Sequence, residues 1–244
     1  LGFLYALGAK DACVKRPVFF PLFLTLAAGL NGAFLAGDVF NLFVFTELLV
    51  VSGAALTALS DDPRGVEAAL KYFLLSLAAS GFLLLAAGLL YAGVGTLNFA
   101  DLARRVEAPF SPGLIAAAAL LFCFFAAKSA VVPFHWWQPD FHTAAPTPVH
   151  AVLSSVVVKL GVYGFFRLTT LFPDGAEPFR QGLLILGPAG ALLGGLGAAG
   201  TRDLKRMLAY STLGQIGFLA AAIGWGTPAA LTAGLLFAFH HSFI

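Results

Sequence analysis

Three ionisable side chains stand where the sequence surrounds them with apolar residues. Glu47 lies inside FNLFVFTELLVVSGAAL, Lys128 inside LLFCFFAAKSAVV and Lys159 inside AVLSSVVVKLGVYGFF. A lysine or an aspartate at the centre of a membrane helix costs roughly 2.5–3.5 kcal/mol on insertion scales, and intramembrane ionisable groups are functional by default. The chemistry open to an acid and two amines at membrane depth is proton or cation exchange along a hydrated path, because their surroundings decide whether they hold a proton. A Glu beside a Lys adds coupling. While the carboxylate is near, the amine keeps its proton; when the carboxylate moves away or is protonated, the proton can pass on. The plainer alternative is a fixed ion pair that pins two helices. For Lys128, a further alternative is an alkyl stem that reaches the interface.

Further groups gather around these three. Pro133 interrupts the Lys128 segment, and Pro139, Pro146 and Pro148 delay a regular helix. An interrupted span is tolerated only against protein or a water-filled cavity, and broken helices beside ionisable residues belong to transporters. The break carries His135, Asp140, His142 and His150 with Trp136 and Trp137. Histidine titrates near neutrality and suits proton handover; the alternative is an interfacial loop with an aromatic belt. As zinc ligands, HxxxxDxH lacks the helical HExxH spacing, so no metal is expected. His240 and His241 fall in the last apolar segment, either as satisfied polar groups or as a continuation of the relay. Ser155, Lys159 and Tyr163 recur every four residues, which on a regular helix gives one polar face, with Gly161 and Gly164 leaving room for water beside it. The alternative is that Ser155 and Tyr163 bond within their own helix or to a neighbour.

The elements that must position these residues are membrane helices. Hydrophobic residues make up 59% of the chain and charged ones 11%, where a soluble domain carries about 25%. Mean hydropathy is +0.90. Charges punctuate the sequence at about the 20-residue interval that a span needs. The expected spans are Pro17–Ala36, Asp38–Leu59, Ala68–Gly93, Ser111–Pro133, Val149–Leu171, Phe179–Ala199, Leu204–Gly224 and Pro228–Ile244, with Leu1–Gly8 as the tail of an earlier one. NFADLARRVEAP reads as a short interfacial amphipathic piece. Helices are required because unpaired backbone groups in lipid cost several kcal/mol, and the alternation of barrel strands is absent. Gly190 and Gly194 form a GxxxG that lets a neighbouring helix approach.

Lys10, Lys15, Arg16, Arg64, Lys71, Arg202, Lys205 and Arg206 fall on one side, and Arg104, Arg105, Arg167 and Arg180 on the other. The richer side is expected to be cytoplasmic. A net charge of +2 spread over loops argues against nucleic acid as a partner. Cys13 and Cys123 form neither CxxC nor zinc spacing, and two lone cysteines cannot ligate an iron–sulfur cluster. No GxGxxG opens a helix after a strand, so no cofactor is expected. The chain starts on Leu1 without a secretory signal and stops partway through an apolar segment, which reads as a fragment of a longer protein with a single transmembrane domain.

NGAFLAGDVFNLFVFTELL, AAKSAVVPFHWWQPDFHTAAPTPVHAVLSSVVVKLGVYGFFR and RDLKRMLAYSTLGQIGF together resemble the antiporter-like membrane subunits shared by respiratory complex I and Mrp-type sodium/proton antiporters. The first block is most similar to the D-type subunit of Mrp antiporters. The resemblance covers nearly the whole chain and implies an all-α polytopic bundle of fourteen helices, with two inverted five-helix repeats, each with one discontinuous transmembrane helix. This stretch would hold helices four to eleven: the first repeat complete, the second partial. Glu47 matches the family's glutamate on the fifth helix, Lys128 the lysine on the broken seventh and Lys159 the lysine on the eighth. His241 matches an eleventh-helix histidine that precedes, by four residues, a lysine beyond this chain's end. Gln138 departs from a usual leucine, His150 from a small residue, and His240 is an extra imidazole.

The resemblance implies a proton-translocating subunit in the cell membrane, the inner membrane of a bacterium, relaying protons through Glu47, Lys128, Lys159 and His241. Its partners would be other membrane subunits, protons, Na+ and the lipid bilayer. Two alternatives stand beside cation/proton antiport. One is a proton-pumping membrane-arm subunit of an NADH–quinone oxidoreductase or a membrane-bound hydrogenase. The other is a structural scaffold whose buried charges only orient helices.

Overall fold

A computed structural model describes residues 6–9, 12–60, 62–172 and 177–243. Among them every regular segment is helical. In chain order these are α1 (Phe19–Leu35), α2 (Val39–Ala58), α3 (Pro63–Val94), α4 (Phe99–Arg105), α5 (Pro112–Lys128), α6 (Trp137–Ala144), α7 (Thr147–Leu171), α8 (Glu177–Gly200), α9 (Leu204–Trp225) and α10 (Pro228–His241), preceded by a 3₁₀ turn over Ala12–Lys15. Five of them, α2, α3, α7, α8 and α9, are long and apolar enough to cross a membrane unaided. Residues 1–5, Lys10 and Ile244, which entered the expected tail, charge count and last span, lie outside the described residues.

The helix ends follow local chemistry. Asp38 accepts from the Asn41 amide at 2.7 Å, and Ser111, Asp203 and Thr227 cap α5, α9 and α10 in the same way. Pro63, Pro112 and Pro228 stand in the first turns of α3, α5 and α10, where a missing N–H costs nothing. Gly95 and Gly226 end α3 and α9 at φ 76° and 70°. Within the spans, hydroxyls bond back to their own helix: Thr46 to Leu42 O at 2.7 Å, Thr57 to Gly53 O at 3.0 Å.

Two boundaries differ from those the sequence suggests. α3 starts at Pro63 rather than Ala68, because Glu67 and Lys71 pair at 2.6 Å across one turn and extend the helix into water. Its 32 residues measure about 48 Å at 1.5 Å per residue. The expected span Ser111–Pro133 is not continuous: α5 stops at Lys128. The ring of Pro133 would clash with the carbonyl of Ser129, four residues back, so the helix ends ahead of it. The stretch NFADLARR takes the amphipathic form, with Phe99 and Leu102 buried and both arginines exposed.

Packing joins α1 to α2, α2 and α5 to α3, α6 to α3 and α9, α7 to α5, and α8 to α9. The α8–α9 seam runs on glycine, within the GxxxG and beyond it: a Cβ on Gly194 would lie 2.7 Å from Tyr210 O, and one on Gly187 2.7 Å from Gly217 O. At the end where α6 stops and α9 starts, Lys205 Nζ donates to Ala145 O at 3.0 Å and Arg206 pairs with Asp140 at 3.2 Å.

Candidate functional site

The break after Lys128 is closed by its own surroundings. The Ser129 amide still donates to Phe125 O at 2.9 Å, Ala130 turns to φ 55°, and the Val131 amide returns to Ala126 O at 3.0 Å. The carbonyl of Ala127, which takes the Ala130 amide only at 3.4 Å, accepts the Trp137 indole N–H at 3.1 Å, so the first residue of α6 seals the end of α5. Lys128 is only 5% exposed. Its Nζ donates to Ser76 O of α3 at 3.4 Å and lies 5.7 Å from the Phe124 ring centre. Beside it opens a cavity of about 320 Å³, walled by Ser76, Ala79 and Phe82 of α3 and by Phe134, Trp136 and Trp137 of the break.

Glu47 is half-buried on α2, with Oε1 buried and without a hydrogen-bond partner. Its charge acts on Lys128, yet no ion pair closes between them among the described residues. Tyr72 fills the same neighbourhood, stacked on Phe141 at 3.9 Å and 15°. The structure therefore brings Glu47 and Lys128 within electrostatic range without the contact of a fixed pair.

Lys159 owes its environment to a second irregularity. Leu153–Val157 form a π turn, which inserts one extra residue per turn. The carbonyl that meets Lys159 Nζ is consequently Ser154 O, five residues back, at 2.8 Å. His241 O of α10 accepts from the same amine at 3.4 Å, so two of the sequence-derived candidates meet directly. The Ser154 hydroxyl is 2.7 Å from the Thr212 hydroxyl of α9, which bonds back to Leu208 O at 3.0 Å.

The expected polar face of Ser155, Lys159 and Tyr163 does not act as one. The Ser155 hydroxyl donates to Val152 O at 3.4 Å, and the Tyr163 hydroxyl accepts from Arg167 Nε at 2.7 Å, both within α7. The π turn displaces the four-residue register that the sequence implied. The room beside Gly161 is likewise occupied: a Cβ there would lie 2.5 Å from Phe125 O and from Ser129 N. Gly161 lets the two lysine-bearing helices touch where α5 ends; it does not open a water space.

The imidazoles divide. His142 is 1% exposed, with Nδ1 lacking a partner. Its ring stands 5.5 Å from that of His150 at 80°, and His150 Nδ1 is 2.6 Å from His142 O. Lys159 acts electrostatically on both His142 and His241. His241 stacks on Phe237 at 6.3 Å and 5°, and its Nδ1, like that of His135, is buried without a partner. Asp140 is taken by Arg206 at the surface. No cluster of three or more His, Cys, Asp or Glu able to hold a metal occurs among the described residues. Sequence reasoning missed Tyr72, the Ser76 carbonyl and the Ser154–Thr212 hydroxyl pair. Thr212 alone left a trace, as a small polar residue in an apolar helix.

A family model described as NADH:quinone oxidoreductase/Mrp antiporter, TM, matches residues 36–244. The N-type subunit of NADH-quinone oxidoreductase from Desulforudis audaxviator is 37% identical over 230 residues, covering 93% of this chain and 46% of that protein. The D-type subunit of the Na(+)/H(+) antiporter from Alkalihalophilus pseudofirmus is 32% identical over 229 residues, with 93% and 46% covered. The Mrp complex from Dietzia sp. DQ12-45-1b contains a chain that superposes with a TM-score of 0.91 at 31% identity, over 99% of this chain and 45% of that one. The chain spans about half the length of the curated relatives it matches, and respiratory and antiporter relatives match it at comparable identity.

Proposed function

The chain belongs to the NADH:quinone oxidoreductase/Mrp antiporter transmembrane family, and from that premise we propose that it carries protons across the cell membrane as one subunit of a larger complex. One observation carries the reading. Lys128 and Lys159 are both buried, both held by backbone carbonyls, and neither is locked to a carboxylate among the described residues. A lysine in a tight salt bridge is fixed as a cation; one held by carbonyls, with an acid at electrostatic range, can exchange its proton as that acid moves or is protonated. In the proposed sequence Glu47 sets the charge state of Lys128, Lys159 receives the proton, and His241 with the imidazoles of the broken span connects onward. The buried polar atoms without partners on Glu47, His142 and His241 mark where such a route needs water or a moving donor. The broken span supplies the irregular backbone that transporters place beside their ion sites.

The same residues serve either of two complexes. In one, proton flow is exchanged for a cation such as Na+; in the other, redox chemistry in partner subunits drives pumping through this chain, a reading favoured by the respiratory relative. Co-purifying subunits separate them. The proposal as a whole is tested in vesicles carrying the complete complex, by following formation of a pH gradient. Glu47→Ala and Lys128→Ala are each expected to lose most of the transport at normal amounts of assembled complex. Wild-type transport by both overturns the proposal and leaves the scaffold reading, under which replacing both with apolar residues preserves stability and function alike.

A further inference from the structure

The relay so far runs through the middle of the bundle, and it requires an exit toward one face. At the end where α6 stops and α7 and α9 begin, α6 is tied to α9 by Lys205 Nζ to Ala145 O at 3.0 Å, by Arg206 to Asp140 at 3.2 Å and by Gln138 Nε2 to Ala209 O at 3.0 Å, and to α7 by His150 Nδ1 to His142 O at 2.6 Å. His142 and His150 at this junction are 1% and 8% exposed. A carbonyl only accepts, so the 2.6 Å contact between His150 Nδ1 and His142 O fixes the hydrogen on Nδ1 and leaves Nε2 as the basic nitrogen of the neutral ring.

We propose that His150 is the proton carrier between His142 and the membrane face at Lys205, completing a branch that runs from Lys159 through His142 and His150 to that face. The inference rests on the proposed proton transport. Its basis is the order of titratable groups along the branch. Lys159 acts on His142, the rings of His142 and His150 stand 5.5 Å apart, and the half-exposed Lys205 acts on His150. His142 comes from α6, Lys205 from α9, and Lys159 shares α7 with His150. α2 also packs against the start of α7, but its single titratable residue is Glu47, which acts on Lys128 instead. The proton arrives on His150 Nε2, giving an imidazolium whose Nδ1–H still holds the His142 carbonyl, and departs from Nε2. Only N–H bonds form and break, the ring ends neutral, and no co-reactant is consumed.

A purely structural His150 would do no more than tie α7 to the His142 carbonyl, and an asparagine amide can replace that donor without carrying a proton. The experiment measures proton transport against pH in vesicles holding the complete complex with His150→Asn, His150→Ala or Lys128→Ala. Expected for His150→Asn is wild-type assembly, a loss of transport on the order of 100-fold, and disappearance of the inflection that a histidine gives between about pH 5 and pH 8. Should His150→Asn not assemble, His150→Gln reads the same two quantities. Wild-type rate and pH profile in the amide variant, with His150→Ala impaired in assembly, reduce the residue to a tie and overturn the inference. Wild-type transport in Lys128→Ala, when Glu47→Ala also keeps it, overturns instead the underlying proton-transport reading.

Discussion

Along the α8–α9 hairpin the two backbones touch. A Cβ on Gly217 would lie 2.6 Å from Gly187 O, and between Gln181 and Gly200 there is no acid, base or histidine. Along α3, α5, α6 and α7 the close approach narrows to Gly161 against the end of α5, and around it stand two buried lysines, a broken span, a π turn and a cavity of about 320 Å³. The hairpin has one way to pack, since small residues in register leave no slack. The lysine region keeps alternatives open, because its amines hang on backbone carbonyls, that of Ser76 within α3 and that of Ser154 in the π turn, and several buried atoms lack partners. In lipid, polarity of this kind is expensive; under the proposed proton transport, the hairpin would be the fixed wall beside it.

The sharpest way to break this contrast is Lys128→Met. It is expected to reduce transport by about 100-fold or more, the lower range for a lost proton-transfer group, while the thermal midpoint of the complex stays unchanged or rises, because an unpaired buried cation has been removed. A fall in stability with transport retained would place Lys128 on the structural side of the comparison. The converse variant is Gly217→Leu, whose side chain must displace Gly187 and Ala191. Overpacking of this kind costs about 1–3 kcal/mol, so less assembled complex and a lower melting temperature are expected, with transport per assembled complex near wild type. Smaller still is Trp137→Phe, which removes the indole bond to Ala127 O at 3.1 Å. The predicted cost is about 1 kcal/mol, the worth of one hydrogen bond, read as a modest drop in thermal stability together with faster amide exchange at the α5–α6 break.

The all-α class, the family and the location of Lys128 beside a broken span are legible in the sequence, because apolar runs, prolines and isolated charges act locally. What lies outside its reach depends on register and on partners distant in the chain. The period through Ser155, Lys159 and Tyr163 looks regular in one dimension, and only the π turn at Leu153–Val157 makes Ser154 the residue that meets Lys159. The glycines at 161 and 164 announce closeness, but whether water or another helix fills the gap depends on where Phe125 arrives. The open geometry of Glu47 and Lys128 is likewise three-dimensional: composition identifies an acid and a base in lipid and says nothing of whether they touch.

The surplus length of α3 has a mechanical meaning. At about 48 Å the helix exceeds a hydrocarbon layer of about 30 Å, and its protruding first turns carry the exposed Glu67–Lys71 pair. Ser76, whose carbonyl holds Lys128, lies on the same stiff rod only about 14 Å from Glu67. A neighbouring protein that grips the wet end of α3 therefore holds a lever, and a small tilt of that lever shifts the carbonyl against which the buried amine rests.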